Sequence, residues 1–148
     1  MENKYWLSKE EFVDIYKRVP RLTVDLVIKS ADGILLSLRD IEPWKGFWHL
    51  PGGTVAKGEK ITEAAERIAK GETGLDIKII KELGYLEYLV EVREEGNLHS
   101  VSIVLEVEPI GGIMKPDENS KELKYFKELP ENIIPEQAEF LRSKKVQE

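Results

Sequence analysis

Residues 52–75 read GGTVAKGEKITEAAERIAKGETGL, a double glycine, a short polar loop and an acid-rich run closed by Gly74. At about 100° per residue, Glu63, Glu66, Arg67 and Lys70 gather on one side of a helix, and Ile61, Ala65, Ile68 and Ala69 on the other. This spacing predicts an amphipathic helix with Thr62 as N-cap and Gly74 as C-cap. Its polar side offers two i,i+4 pairs, Glu63 with Arg67 and Glu66 with Lys70. Glu72 breaks the pattern. It falls on the apolar meridian almost below Ile68, at the C-terminal end where the macrodipole disfavours a carboxylate. Periodicity leaves two readings open: an inward carboxylate held for chemistry, or a side chain released to water because Gly71 frays the helix.

The loop before this helix narrows the chemistry. Gly52 and Gly53 let the backbone approach a ligand closely. Gly53 and Gly58 have the glycine spacing of a phosphate-binding P-loop, but Glu59-Lys60 follows where Lys-Ser/Thr is required, which excludes one. A glycine turn facing an inward carboxylate remains, and oxygen ligands of that kind suit magnesium.

Outward from this stretch, Ser8 and Glu11 form a capping box that opens a helix over 9–18, with Phe12, Ile15, Tyr16 and Val19 as an apolar stripe and Pro20 as its stop. From Leu22 to Lys29 the chain alternates, with Leu22, Val24, Leu26 and Ile28 on one face and Thr23, Asp25, Val27 and Lys29 on the other, which predicts a strand. Ala31-Asp32-Gly33 turns it into a second strand, GILLSLR. Beyond the helix, DIKIIKELGYLEYLVEV reads as one or two strands, Glu94-Glu95-Gly96-Asn97 as a turn, and SVSIVLEV as a strand ended by Pro109. LKYF is a short strand and PEQAEFLRSKK a final helix. Antiparallel strands with helices at both ends and one between give an α+β class, helices packed on a mixed sheet, in a single domain over 1–148.

Composition sets limits. The 148 residues are 41% hydrophobic and 34% charged, enough for one sizeable core. There is no cysteine, so disulfides, thiol catalysis and cysteine-bound metal centres are excluded. His49 and His99 show no metal-ligand spacing. Net charge is −6 without a basic block, which argues against nucleic-acid binding. No stretch reads as a signal peptide or a membrane span, so a cytoplasmic protein is expected. An acidic protein that handles phosphate needs local charge compensation, and a divalent cation supplies it.

The stretch resembles the Nudix hydrolase box, G-x5-E-x7-R-E-U-x-E-E-x-G-U, with Gly53, Glu59, Arg67, Glu72, Gly74 and Leu75 at matching positions. The lead-in GFWHLPGG is similar to the family's G-x-W-x-x-P-G-G. The resemblance implies an α/β/α sandwich with a mixed sheet between helices, and the box as loop–helix–loop. Ile68 and Gly71 stand where the family has two acids that bind magnesium or serve the attacking water, and Ala69 fills the bulky aliphatic position. The GDP-mannose mannosyl hydrolase branch is similar in lacking the same two acids. That likeness implies a magnesium ion held by Glu72, the Gly52 carbonyl and Asn119. It implies Arg39 and Arg67 on the leaving diphosphate, Asp25 near the sugar, and a homodimer. Ser120 occupies the position of that branch's histidine base, and Thr54 that of a further arginine.

His99, at the start of a strand, is one candidate for the missing base, or else a polar strand end. Asp117, Glu118 and Glu122 could replace the missing base or a missing ligand, or form a solvated acidic loop. Asp25, a carboxylate amid an apolar strand, faces a cleft or pairs with a cation. Arg67 has both a structural reading and a phosphate-binding one. Trp44, Phe47 and Trp48 form either a base-stacking wall or local packing; His49 reads as positional, and Tyr85 and Tyr88 carry no assignment. The expected function is magnesium-dependent hydrolysis of a nucleotide sugar, with water attacking the sugar C1. Two alternatives stand beside it: a pyrophosphohydrolase that cleaves at phosphorus, and a domain that binds nucleotide sugars without turnover.

Overall fold

The computed structural model describes residues 7–92 and 96–146. In chain order the elements are α1 (Lys9–Tyr16), β1 (Arg21–Ser30), β2 (Gly33–Arg39), β3 (Trp48–His49), β4 (Gly52–Thr54), α2 (Ile61–Thr73), β5 (Leu75–Glu91), β6 (Leu98–Gly112), β7 (Ser120–Phe126) and α3 (Pro135–Ser143). Seven strands form a mixed sheet in the order β3-β2-β1-β6-β5, with β4 on β1 and β7 on β2. β1 and β6 run parallel, and the other pairings are antiparallel.

The alternation in β1 separates the two layers. Val24, Leu26 and Ile28 join Ala64, Ala65, Ile68 and Ala69 of α2 in one core. Val27, on the other face, joins Ala138, Phe140 and Leu141 of α3 in the second. The strand and helix patterns predict helices packed on a mixed sheet, and the sandwich is the one the resemblance implies.

β1 forks. Its first half pairs with β4, Asp25 opposite Gly52, and its last residues pair with β2, Lys29 opposite Ile34. The fork opens the sheet beside Asp25 and sets the glycine turn there.

Several expectations change. Leu22 is 44% exposed, because it lies where β1 enters the sheet, beyond the cover of α2. The capping box of α1 is present, but α1 ends at Tyr16 and buries no residue; Ile15 and Val19 are exposed. The α2 helix begins at Ile61 with Lys60 as N-cap, and Glu63 accepts the Lys60 N–H at 2.8 Å, so Thr62 lies inside the first turn. Arg67 forms its ion pair with Glu59 and Lys70 with Asp76, in place of the pairs with Glu63 and Glu66. Residues 76–92 lie almost wholly within one bulged strand, β5. β6 runs past Pro109 to Gly112, because its parallel pairing with β1 ends at Val107 and leaves no partner for the missing N–H. Of the expected turn, Glu94 and Glu95 lie outside the described residues. No described helix is long and apolar enough to cross a membrane.

Candidate active site

Where β1 forks, a cleft of about 400 Å³ opens, lined among others by Asp25, Arg39, Trp44, Gly52, Glu72, Tyr88, Asp117, Asn119 and Gln137. Its floor is built by β4. In the register of β4 on β1, Leu26 N–H donates to Pro51 O at 2.8 Å and Val55 N–H to Leu22 O at 3.0 Å. That phase makes Gly53 the residue that bonds back to β1 and turns the polar groups of Gly52 away from it. The Gly52 N–H accordingly donates to Glu72 Oε1 at 3.2 Å. The Gly52 carbonyl, on the same side of the extended chain, shares that direction. A methyl on Gly52 would stand 2.2 Å from Asp25 Oδ1 and 2.8 Å from Val24 O, so only glycine fits.

Glu72 is turned inward from the last turn of α2. Burial pushes its carboxyl up to about 8, with the charges of Asp117 and Asp25 adding to the rise and the Gly52 N–H opposing it. Among the described residues no three His, Cys, Asp or Glu side chains form a group able to hold a metal. A cation here would take Glu72 together with neutral oxygens, the Gly52 carbonyl and the Asn119 amide. The residues fit one: a desolvated carboxylate, raised further by a second carboxylate, is a place where positive charge is missing. Asp117 is fixed by its turn, in which Oδ1 accepts the Asn119 N–H at 2.9 Å.

Asp25 is 7% exposed and accepts from the Tyr88 hydroxyl at 2.8 Å. Burial raises its carboxyl to about 6, against the lowering effect of that hydrogen bond. Arg39 lines the cleft and donates from Nε to Pro43 O at 2.6 Å.

A family model for the NUDIX domain matches residues 19–144. The chain belongs to the Nudix family. This Nudix chain is 35% identical over 132 residues to the low-salt glycan biosynthesis protein Agl8 of Haloferax volcanii, covering 87% of this chain and 85% of that one. It is 39% identical over 107 residues to an ADP-ribose pyrophosphatase of Methanocaldococcus jannaschii, covering 72% of this chain and 62% of that relative's length. The crystal structure of a MutT NUDIX hydrolase from Burkholderia pseudomallei has a TM-score of 0.73 and 25% identity, covering 84% of this chain and 97% of that one.

Within this Nudix fold the box residues divide by task. Glu59 and Arg67 stand away from the cleft. Arg67 donates to both Glu59 oxygens, at 2.8 and 3.0 Å, and to Thr54 O at 2.8 Å. Glu59 also accepts the Ala56 N–H at 2.9 Å, and the arginine holds its carboxyl below the usual range. The pair therefore locks the loop that presents Gly52. Gly53 packs on Ile68, whose side-chain carbons would lie 3.2 Å from a methyl there. Gly74, at φ +76°, closes α2, and Leu75 enters the core. Ile68 is fully buried and Gly71 exposed, so neither of the two altered box positions carries an acid to the cleft.

The remaining expectations are placed as follows. Asp25, Arg39, Gly52, Glu72 and Asn119 converge on the cleft. Ser120 lies beside it on β7, accepting from Ser37 at 2.7 Å and donating to Glu122 O at 3.1 Å, which commits its only proton to the strand. Ser100 lines the cleft, and His99, its neighbour on β6, turns to the opposite face. Trp44 and Phe47 meet edge to face at 4.8 Å, with Trp44 on the cleft, while Trp48 packs on Phe126 at 4.7 Å in the core. His49 also lines the cleft. Its Nδ1–H donates to Leu50 O at 2.8 Å, and burial with the nearby Arg39 charge lowers its pKa to about 4, so the ring is neutral. Arg21, Tyr88 and Gln137 escaped the sequence reading. Tyr88 and Gln137 reach the site from a strand and a helix far along the chain, where no local spacing marks them, whereas Arg21 stands on β1 itself, four residues before Asp25.

Proposed function

We propose that the chain is a magnesium-dependent hydrolase of nucleotide-diphosphate sugars of the GDP-mannose or GDP-glucose type, in which water attacks the sugar C1. One observation carries this reading: α2 brings a single box carboxylate, Glu72, to the cleft, with Ile68 buried and Gly71 exposed where two further acids would stand. Attack at phosphorus draws on several carboxylates to hold cations on both the entering and the leaving oxygens, whereas departure of a diphosphate needs one neutralised leaving group.

Glu72, the Gly52 carbonyl and Asn119 would hold the ion. When bound, magnesium supplies neutralisation of the charge that develops on the departing diphosphate. Arg39 lies on the same cleft wall and contributes a fixed positive charge to that group. Asp25 accepts a hydrogen bond from a sugar hydroxyl. Asp117, beside Glu72, receives the proton of the attacking water, a task for which the Ser120 hydroxyl is too weak a base near neutral pH. The C1–O bond breaks, its electron pair leaves with the nucleoside diphosphate, and the water oxygen becomes the sugar's new hydroxyl. A homodimer and a cytoplasmic setting belong to the same reading and rest on the resemblance and the composition.

The identity with an ADP-ribose pyrophosphatase favours a second reading, cleavage of the diphosphate itself. The test is incubation with GDP-mannose and magnesium, followed by phosphorus and proton NMR of the products. GDP and free sugar are expected. GMP and a sugar phosphate would support the second reading instead. Binding without turnover across a panel of nucleotide sugars would leave a binding domain.

A further inference from the structure

A series of hydrogen bonds of fixed direction, made by residues outside the box, ends on Asp25. The Leu50 N–H, which can only donate, gives its proton to Gln137 Oε1 at 2.7 Å. The amide oxygen is thereby assigned, and Nε2 must face Tyr88, donating to its hydroxyl oxygen at 3.0 Å. A phenol carries one proton. With an N–H already aimed at Oη, that proton goes to Asp25 Oδ2, 2.8 Å away. The chain thus runs one way, from Leu50 through Gln137 and Tyr88 to Asp25. Reversing the amide would set two donors against each other at Leu50, in a place where Gln137 is only 4% exposed.

The other carboxylate oxygen has a different neighbour. Oδ1 lies over Gly52, at the glycine turn on the cleft floor, so close that a methyl on that glycine would stand 2.2 Å from it. One oxygen is held by the chain from α3, and the other lies beside the turn that presents the Gly52 backbone to the cleft.

We propose that Tyr88 and Gln137 are positioning residues that hold Asp25 as a one-sided acceptor for a hydroxyl of the bound sugar. This rests on the nucleotide-sugar reading above and extends it. The ligand at this end of the cleft is a polyhydroxylated ring that donates one hydroxyl to Oδ1; the same ring without that hydroxyl leaves Asp25 unmatched. Helix α3, which carries no residue of the box, is thereby tied to sugar recognition.

Gln137→Glu tests the direction. The new side chain has the same shape but only acceptors, so Leu50 still donates to it, while the Tyr88 proton is drawn away from Asp25. Tyr88→Phe removes the link outright. Each single variant should lower kcat/KM for the nucleotide sugar by about tenfold, the loss of one buried hydrogen bond to a charged group. The double variant should fall no further than Tyr88→Phe alone. In ligand-free protein, the Asp25 Cγ NMR signal should move in both single variants. Losses that multiply in the double variant, or an Asp25 Cγ signal unmoved by Gln137→Glu, would overturn the proposal. Should Gln137→Glu not fold, Tyr88→Phe suffices: the penalty for a deoxy-sugar nucleotide should shrink relative to wild type, and an unchanged penalty overturns it. The Cγ signal is read without substrate, so a sugar phosphate among the reaction products would defeat the nucleotide-sugar reading separately.

Discussion

Glu72 places a half-buried carboxylate at the C-terminal end of a helix, partly shielded from water and near two other acids. Each of these opposes its charge. In metal-free protein its pKa stands at about 8 against an ordinary 4.5, so between those values the folded chain binds more protons than the unfolded one. The resulting stability is fully present below about pH 4.5 and is lost as pH rises through about 8. Asp25, raised to about 6, adds to the same trend at its acidic end. The Tm of metal-free protein should therefore fall from about pH 5 to about pH 8, recover on adding magnesium, and lose most of this slope in Glu72→Gln. That variant should also lose metal-dependent activity. A wild-type Tm that climbs through this range, or an unaltered rate in Glu72→Gln, would remove the ligand assignment. At this scale Asp25 was legible, as a carboxylate amid apolar neighbours. Periodicity left Glu72 undecided, because whether Gly71 frays the helix depends on the Gly52 amide that meets Glu72 across the cleft. Tyr88 and Gln137 were illegible: Tyr88 is 63 residues from Asp25 and Gln137 is 49 from Tyr88, and no spacing encodes such contacts.

The box acts as a unit because α2 and its loop are cross-braced. Sequence periodicity placed Ile61, Ala65, Ile68 and Ala69 on the buried side of α2; Ala65, Ile68 and Ala69 are fully buried, Ile61 is partly buried against the same core, and Ala64 joins them. It misassigned the polar side, since a helical wheel sees only partners three or four residues away. Arg67 instead reaches eight residues back to Glu59, across the loop. The two side chains are 15% and 9% exposed, so breaking the pair leaves a largely buried carboxylate without its cation. Arg67→Ala should cost about 2–3 kcal/mol in urea unfolding. A loss below about 0.5 kcal/mol would show that the loop does not depend on this brace. The strands were read well where alternation was clean, as in β1. They were read poorly where sheet context overrides a local signal: Pro109 lies within β6 because the pairing of β6 with β1 has already ended at Val107.

On the scale of the molecule, two cores clamp one sheet, and the fork in β1 leaves a break in its middle layer that polar side chains fill. Asp25, Arg39, Gly52, Glu72 and Asn119 come from five stretches of chain and share that break. Their common location follows from the topology, and the resemblance made it readable in advance; which bond is cleaved there is a matter of chemistry. Release of GDP and sugar is compatible with attack at C1 and also with attack at the outer phosphorus, because both divide the molecule at the same place. Hydrolysis in water labelled with heavy oxygen separates them by mass spectrometry of the products. Attack at C1 puts the label in the free sugar and none in GDP, and this is the expected result. Label in the phosphate of GDP would contradict it and return the site to phosphorus chemistry.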